Sequence, residues 1–201
     1  MYQHPTEIIA ADIVLLPSDQ DIEDIVLLNR TLHQPANQQI VLSKTVNLPH
    51  LTLLMGGFLL DQLEVSAKAI QSLTSSYPPF HLKIDKVVYK NDCASLDFKK
   101  NKRLQQLHEA LIKSFRSSMA GNITGAMFAG DSQIGDSSIT YINNFWERNT
   151  GENYWPHITL GYGKVPDSIR IPGTVSYDKV GLFHLGNHCT CYKSICTFPL
   201  T

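Results

Sequence analysis

Hydrophobic and polar positions along this chain repeat with two different periods, which divides it into strands and helices. Ala10 to Leu16 is an almost unbroken apolar run, interrupted by Asp12, and predicts a buried first strand. Ser18, with Asp21 three residues on, has the form of a capping box. Ile22, Ile25, Leu28 and Leu32 then follow at helical spacing, predicting a helix to about His33 that stops before Pro35. A strand over His50 to Met55 should end at Gly56-Gly57. Leu60, Leu63, Ala67, Ile70 and Leu73 predict a helix that Pro78-Pro79 terminates. Phe80, Leu82 and Ile84 alternate, and Cys93 to Phe98 follows a polar turn at Asn91-Asp92, so two strands are expected. Lys99 to Phe115 reads as a helix with Leu104, Leu107, Leu111 and Phe115 on one face.

The stretch from Ser117 to Ser138 is rich in Gly and Ser. It predicts a long surface loop, with a lid over a cleft as the alternative. Ile139, Ile142, Phe145 and Trp146 suggest a short helix ending by Gly151. A strand starts at His157, and Val175–Leu185 with Cys189–Phe198 form a hairpin around Gly186-Asn187. The succession predicts an α+β fold with antiparallel character rather than a doubly wound nucleotide fold. No phosphate-binding G-x-x-x-x-G-K-[ST] loop is present.

The chemistry lies in a repeat. Pro49-His50-Leu51-Thr52-Leu53 with Gly56, and Pro156-His157-Ile158-Thr159-Leu160 with Gly163, share the pattern P-H-(Leu/Ile)-T-L-x-x-G, 107 residues apart. On a strand, residues i and i+2 share a face, so His50 projects with Thr52 and His157 with Thr159. Side by side, two such strands would converge two imidazoles and two hydroxyls. The imidazoles can act as acid and base, and the hydroxyls can hold a phosphoryl oxygen. The bare H-x-T triplet also occurs at His4-Pro5-Thr6 and His188-Cys189-Thr190, without the following Leu and Gly. His4 is expected in a loose N-terminus and His188 at the start of the last strand, both outside the site.

These residues resemble the two H-x-[ST] motifs of the 2H phosphoesterase superfamily, which includes the LigT-like RNA cyclic phosphodiesterases (2′-5′ RNA ligase-like proteins). The resemblance spans nearly the whole chain. It implies one bilobal domain over 1–201, with two pseudo-symmetric lobes of mainly antiparallel sheet, helices outside and a central cleft. It also implies His50 as proton donor and His157 as proton acceptor. RNA-processing members often carry an Arg five residues past the second His, where this chain has Tyr162.

Composition narrows the partners. With 17 basic and 18 acidic residues, the net charge of −1 gives no basic surface for long duplex nucleic acid; a nucleotide or a short RNA end needs only a local patch. Trp155, Tyr154 and Tyr162 are candidate base contacts, although strict alternation would turn Tyr162 away from the histidines. Lys44 and Lys164 are candidate phosphate contacts. No stretch is apolar enough to span a membrane, and no signal peptide is expected. Cys93, Cys189, Cys191 and Cys196 are then expected as reduced thiols, with Cys189 and Cys191 alternating on one face of the last strand rather than binding zinc. The expectation is a cytoplasmic, monomeric, cofactor-free and metal-independent phosphodiesterase for a 2′,3′-cyclic phosphate at an RNA or nucleotide end. The alternatives are cleavage of 2′-5′ linkages or of a cyclic nucleotide signal, and a nucleotide-binding module without turnover.

Overall fold

A computed structural model describes residues 7–36, 38–130 and 133–201; the His4-Pro5-Thr6 triplet lies outside the described residues. Among these described residues, seven strands, all paired antiparallel, form a sheet in the order β2-β1-β6-β3-β4-β5, with β7 also on β6. The strands are β1 (Ile8–Pro17), β2 (Leu51–Leu59), β3 (Phe80–Lys90), β4 (Cys93–Phe98), β5 (His157–Tyr162), β6 (Thr174–Leu185) and β7 (Cys191–Pro199). Among the described residues, five helices accompany them: α1 (Asp19–Thr31), α2 (Leu63–Thr74), α3 (Lys102–Phe115), α4 (Asp136–Asn143) and α5 (Phe145–Arg148).

One strand joins the lobes. The start of β3 (Phe80–Lys83) pairs with β6, while its remainder pairs with β4. One lobe therefore carries β2, β1, β6 and β7, the other the far half of β3 with β4 and β5. The apolar run of β1 is central and buried, with Ala11, Ile13, Val14 and Leu15 fully enclosed. In α1, the Ser18 hydroxyl accepts from the Asp21 amide, so the predicted cap is present. The face of α3 made by Leu104, Leu107, Leu111 and Phe115 is buried as its period requires.

Several boundaries differ from the sequence reading. Gly56-Gly57 does not end β2, which continues to Leu59. The two glycines let the chain after α3 approach closely. A Cβ on Gly57 would stand 2.7 Å from the Ala120 carbonyl oxygen, and the Ala120 amide donates to Gly57 O at 2.9 Å. The 117–138 segment is not wholly superficial. Ile123 and Phe128 are buried, and the Ala129 amide donates to Leu185 O at 2.7 Å. The helix expected near Ile139 divides at Asn144 into α4 and α5. The last strand begins at Cys191. Residues Asn187–Cys189 form a 3-10 turn, with His188 and Cys189 at φ 59° and 53°. Cys189 and Cys191 therefore do not alternate along one strand.

Candidate active site

The two repeats are built alike, down to an irregularity that their shared sequence does not announce. In the β1–β2 pair, Ile13 faces Leu54 and Val14 faces Thr52, leaving Leu53 as an extra residue. In the β4–β5 pair, Ala94 faces Gly161 and Ser95 faces Thr159, leaving Leu160 as the extra residue. Each motif thus carries a β-bulge directly after its Thr. Beyond a bulge the alternation of faces inverts. The residue three past each Thr, Met55 or Tyr162, consequently lines the same cleft as the motif His and Thr. Tyr162 does not turn away, as strict alternation would have it. Gly161 accommodates the irregularity at φ +133°, and a Cβ there would lie 2.7 Å from Gln34 Oε1.

The carbonyl freed at each bulge is taken by a buried helical side chain. His108 Nδ1 of α3 lies 2.7 Å from Leu53 O, and Asn29 Nδ2 of α1 lies 2.6 Å from Leu160 O. Each motif histidine is also mounted the same way. His50 Nδ1 is 2.8 Å from Leu48 O, and His157 Nδ1 is 2.9 Å from Trp155 O. A carbonyl only accepts, so each Nδ1 carries the proton. Each Nε2 is left as the atom that can take or give one. His50, Thr52, His157 and Thr159 all line one cleft of about 400 Å³.

Burial disfavours the charged imidazole in both motifs. His50 is pushed down to about 4, mainly by desolvation, with the nearby His157 adding to the effect. His157 is also lowered by burial. Asp97 favours its charged form, whereas Lys90 opposes it. Asp97 is held by Ser95 Oγ at 3.2 Å and by Trp155 Nε1 at 2.8 Å. The Trp155 indole lies flat on the His157 ring, 3.9 Å between centroids and 18° between planes.

The remaining candidates divide. Trp155 and Tyr162 line the cleft. Tyr154 does not: its ring stacks on His108 at 3.8 Å and its hydroxyl donates to Thr52 O at 2.9 Å, so it braces β2 instead of meeting a base. Lys44 pairs with Glu23 on the surface, and Lys164 is exposed away from the cleft. The lysine that does line it is Lys90, at the end of the β3–β4 hairpin, 5.7 Å from the Trp155 ring centroid. The hairpin turn at Asn91-Asp92, with φ 50° and 62°, aims it there.

His188 is also misplaced by the sequence reading. It lines the cleft, meets Tyr162 edge-on at 5.5 Å between centroids, and has Nδ1 3.4 Å from the Tyr162 hydroxyl. Its left-handed backbone is held by the Ser138 hydroxyl, which accepts from the His188 amide at 3.0 Å. The one sequence signal was the Gly186-Asn187 pair, which announces a turn but not its direction. Among the described residues, no group of three or more His, Cys, Asp or Glu side chains is placed to hold a metal ion. No described helix is long and apolar enough to cross a membrane.

The bilobal antiparallel sheet with paired H-x-T strands across one cleft defines a 2H phosphoesterase fold. A family model described as the 2′-5′ RNA ligase superfamily matches residues 43–175, and the chain belongs to that family. No curated protein sequence matches it. Among solved structures, Escherichia coli LigT complexed with 3′-AMP is similar at TM-score 0.56 and 17% identity, over 97% of this chain and 99% of that one. TT0787 of Thermus thermophilus is similar at TM-score 0.60 and 15% identity, over 96% and 98%. Another structure, described as a phosphoesterase, is similar at 0.53 and 18%, over 96% and 98%. The family and the paired motifs support an enzyme acting on phosphodiesters.

Proposed function

We propose that this chain, as one bilobal unit over 1–201, is a metal-independent phosphodiesterase that opens a cyclic phosphate, foremost a 2′,3′-cyclic phosphate at an RNA or nucleotide end. The observation that carries this reading is the identical mounting of His50 and His157, each with Nδ1 on a backbone carbonyl and each lining the same cleft. A phosphodiester resists attack because it is anionic. It needs an activated nucleophile, a proton for the leaving oxygen and donors to the non-bridging oxygens. A neutral imidazole takes a proton from water as its oxygen bonds to phosphorus. A charged imidazole gives its proton to the ribose oxygen as the P–O bond breaks. Thr52 and Thr159 donate to the phosphoryl oxygens, and Lys90 offers a cation at the cleft.

The resemblance implies His50 as donor, but the electrostatics of the site favour the reverse. Desolvation opposes charge on both rings; His157 opposes it further on His50, whereas Asp97 supports it on His157 against Lys90. His157 is then the donor and His50 the acceptor in hydrolysis, with the roles exchanged in the reverse reaction. No cofactor enters this scheme, and the protein works as a cytoplasmic monomer.

A second reading, cleavage of 2′-5′ linkages or of a cyclic nucleotide signal, is favoured by Tyr162 in place of an Arg. A third is nucleotide binding without turnover. One screen separates them: cyclic mononucleotides, cyclic dinucleotides and short RNAs with defined ends, assayed in a strong chelator, with product phosphate positions read by mass. Opening of a 2′,3′-cyclic phosphate that persists in chelator is the expected result. Activity lost to chelator and restored by a divalent ion would overturn the mechanism. Binding without any product would favour the third reading.

A further inference from the structure

One carboxyl buried behind the cleft is not used by an exchange of protons between two imidazoles. Asp12 is the polar residue within the apolar run of β1, and it is fully buried. Its Oδ2 lies 2.6 Å from Thr52 Oγ1 and 3.9 Å from His50 Nε2. Its Oδ1 is buried and meets no donor. The other titratable groups around it are Tyr141 of α4, Tyr154 ahead of β5, Cys189 in the β6–β7 turn and Cys191 of β7. All four are neutral acids whose own ionisation burial opposes. Among the described residues, His50 is the one group forming an ion pair with this carboxyl, and only when protonated.

A hydroxyl has one proton to give. Were Asp12 ionised, Thr52 would donate to it and would turn only lone pairs toward the cleft. A phosphoryl oxygen is also an acceptor, so the two would repel, and a buried negative charge would stand beside the substrate's own. Were Asp12 protonated, its O–H would donate to Thr52 Oγ1, and the Thr52 proton would be free for the phosphoryl oxygen. The second motif has no carboxyl at the matching place: three residues past each Thr, Met55 on β2 is faced by Asp12, whereas Tyr162 on β5 is faced by Cys93.

Resting on the phosphodiesterase reading above, we infer that Asp12 is a positioning residue that works as a neutral carboxylic acid. It donates to Thr52 and thereby aims the Thr52 hydroxyl at the phosphoryl group. Burial, outweighing the hydrogen bond from Thr52, holds this carboxyl well above the usual range, in keeping with the neutral form. The same state leaves His50 without a counterion, as its role of acceptor requires. As pH rises through the Asp12 pKa, the charge returns, the Thr52 proton turns inward and phosphate affinity falls.

The test measures calorimetric binding of inorganic phosphate and adenosine 3′-monophosphate to wild type, Asp12→Asn, Asp12→Ala and Thr52→Val. It is joined to infrared difference spectra of ¹³C-aspartate-labelled protein. Asp12→Ala and Thr52→Val should each weaken binding about tenfold, the scale of one hydrogen bond to a charged group. Asp12→Asn, which keeps a neutral donor, should restore affinity to within about threefold of wild type and remove the alkaline loss. The spectrum of wild type at neutral pH should contain a buried protonated-carboxyl C=O band that Asp12→Asn lacks. Tighter phosphate binding by Asp12→Asn, by tenfold or more, would mean that the native carboxyl is charged and would overturn the inference. So would an Asp12→Asn as weak as Asp12→Ala, or absence of the band. If wild type bound neither phosphate probe, the phosphodiesterase reading would fail, whereas the spectrum would still decide the state of Asp12.

Discussion

The amide of Asn29 on α1 donates to the carbonyl of Leu160 at 2.6 Å, at the bulge of the second motif strand. The same nitrogen donates to Ile40 O at 2.7 Å, and its Oδ1 accepts from the Leu42 amide at 3.1 Å. One buried side chain therefore ties the loop that supplies Ile40 and Leu42 to the cleft onto β5. Asn29→Ala would strand the Leu42 amide and the Leu160 carbonyl in the interior, while Ile40 O keeps the Gln34 side-chain amide at 2.9 Å. It should cost roughly 2–4 kcal/mol, read as a lowered urea midpoint with an unchanged m value. Turnover should fall as well, because the cleft wall loses its tie to β5 and is held at Ile40 by Gln34 alone.

His50→Ala and His157→Ala should each reduce turnover by about 10²–10⁴-fold. Combined, they should not multiply, because both serve one proton exchange. Single-turnover kinetics on the substrate found by the screen checks this. A double mutant whose loss equalled the product of the single losses would show two independent roles.

The pH dependence has a definite sign. Since kcat/KM reports the free protein, its acid limb follows His50, lowered to about 4, and its alkaline limb follows His157, also lowered from 6.5. A bound phosphate favours charge on both rings, so the bell for kcat should lie at higher pH than that for kcat/KM. Stability follows from the same shift. Above pH 6.5 His50 is neutral folded or unfolded; as pH falls from 6.5 to about 4, the unfolded chain takes up the proton first and stability is lost. The loss attributable to His50 is of order 2–3 kcal/mol. Thermal unfolding of His50→Gln should lack that part of the acid destabilisation.

His188, which the chain pattern places outside the site, lines the cleft beside Tyr162. His188→Ala should raise KM by about three- to tenfold with kcat nearly kept, since it borders the space for a substrate's outer group. A fall in kcat matching that of His157→Ala would place the β6–β7 turn in the chemistry itself.

Trp155 covers one face of His157 and donates to Asp97, which favours charge on that ring. Trp155→Phe keeps the stacking and loses the hydrogen bond, whereas Trp155→Ala loses both. Steady-state kinetics should give a kcat drop of about three- to tenfold for Phe and about tenfold or more for Ala.

The sequence by itself determined which residues pair a histidine with a hydroxyl. The spacing of two on a strand is a local rule, and the repeat of Pro, Leu and Gly around it marked the two motifs among four H-x-T triplets. It also determined the core, because the apolar run of β1 and the Leu104–Leu107–Leu111 stripe of α3 have no other way to leave water. Tertiary structure decided what lies more than one residue past each Thr. A bulge arises from pairing with a neighbour, Val14 on one side and Ser95 on the other, and it inverts the faces of Met55 and Tyr162. Long-range partners decided the rest. Thr52 O engages Tyr154, removing it from the list of base contacts; the β3–β4 turn brings Lys90 to the cleft where Lys44 and Lys164 do not reach; and Ser138 holds His188 in a left-handed turn. None of these contacts has a local sequence signature, since each depends on a partner far away in the chain or on the direction of a turn.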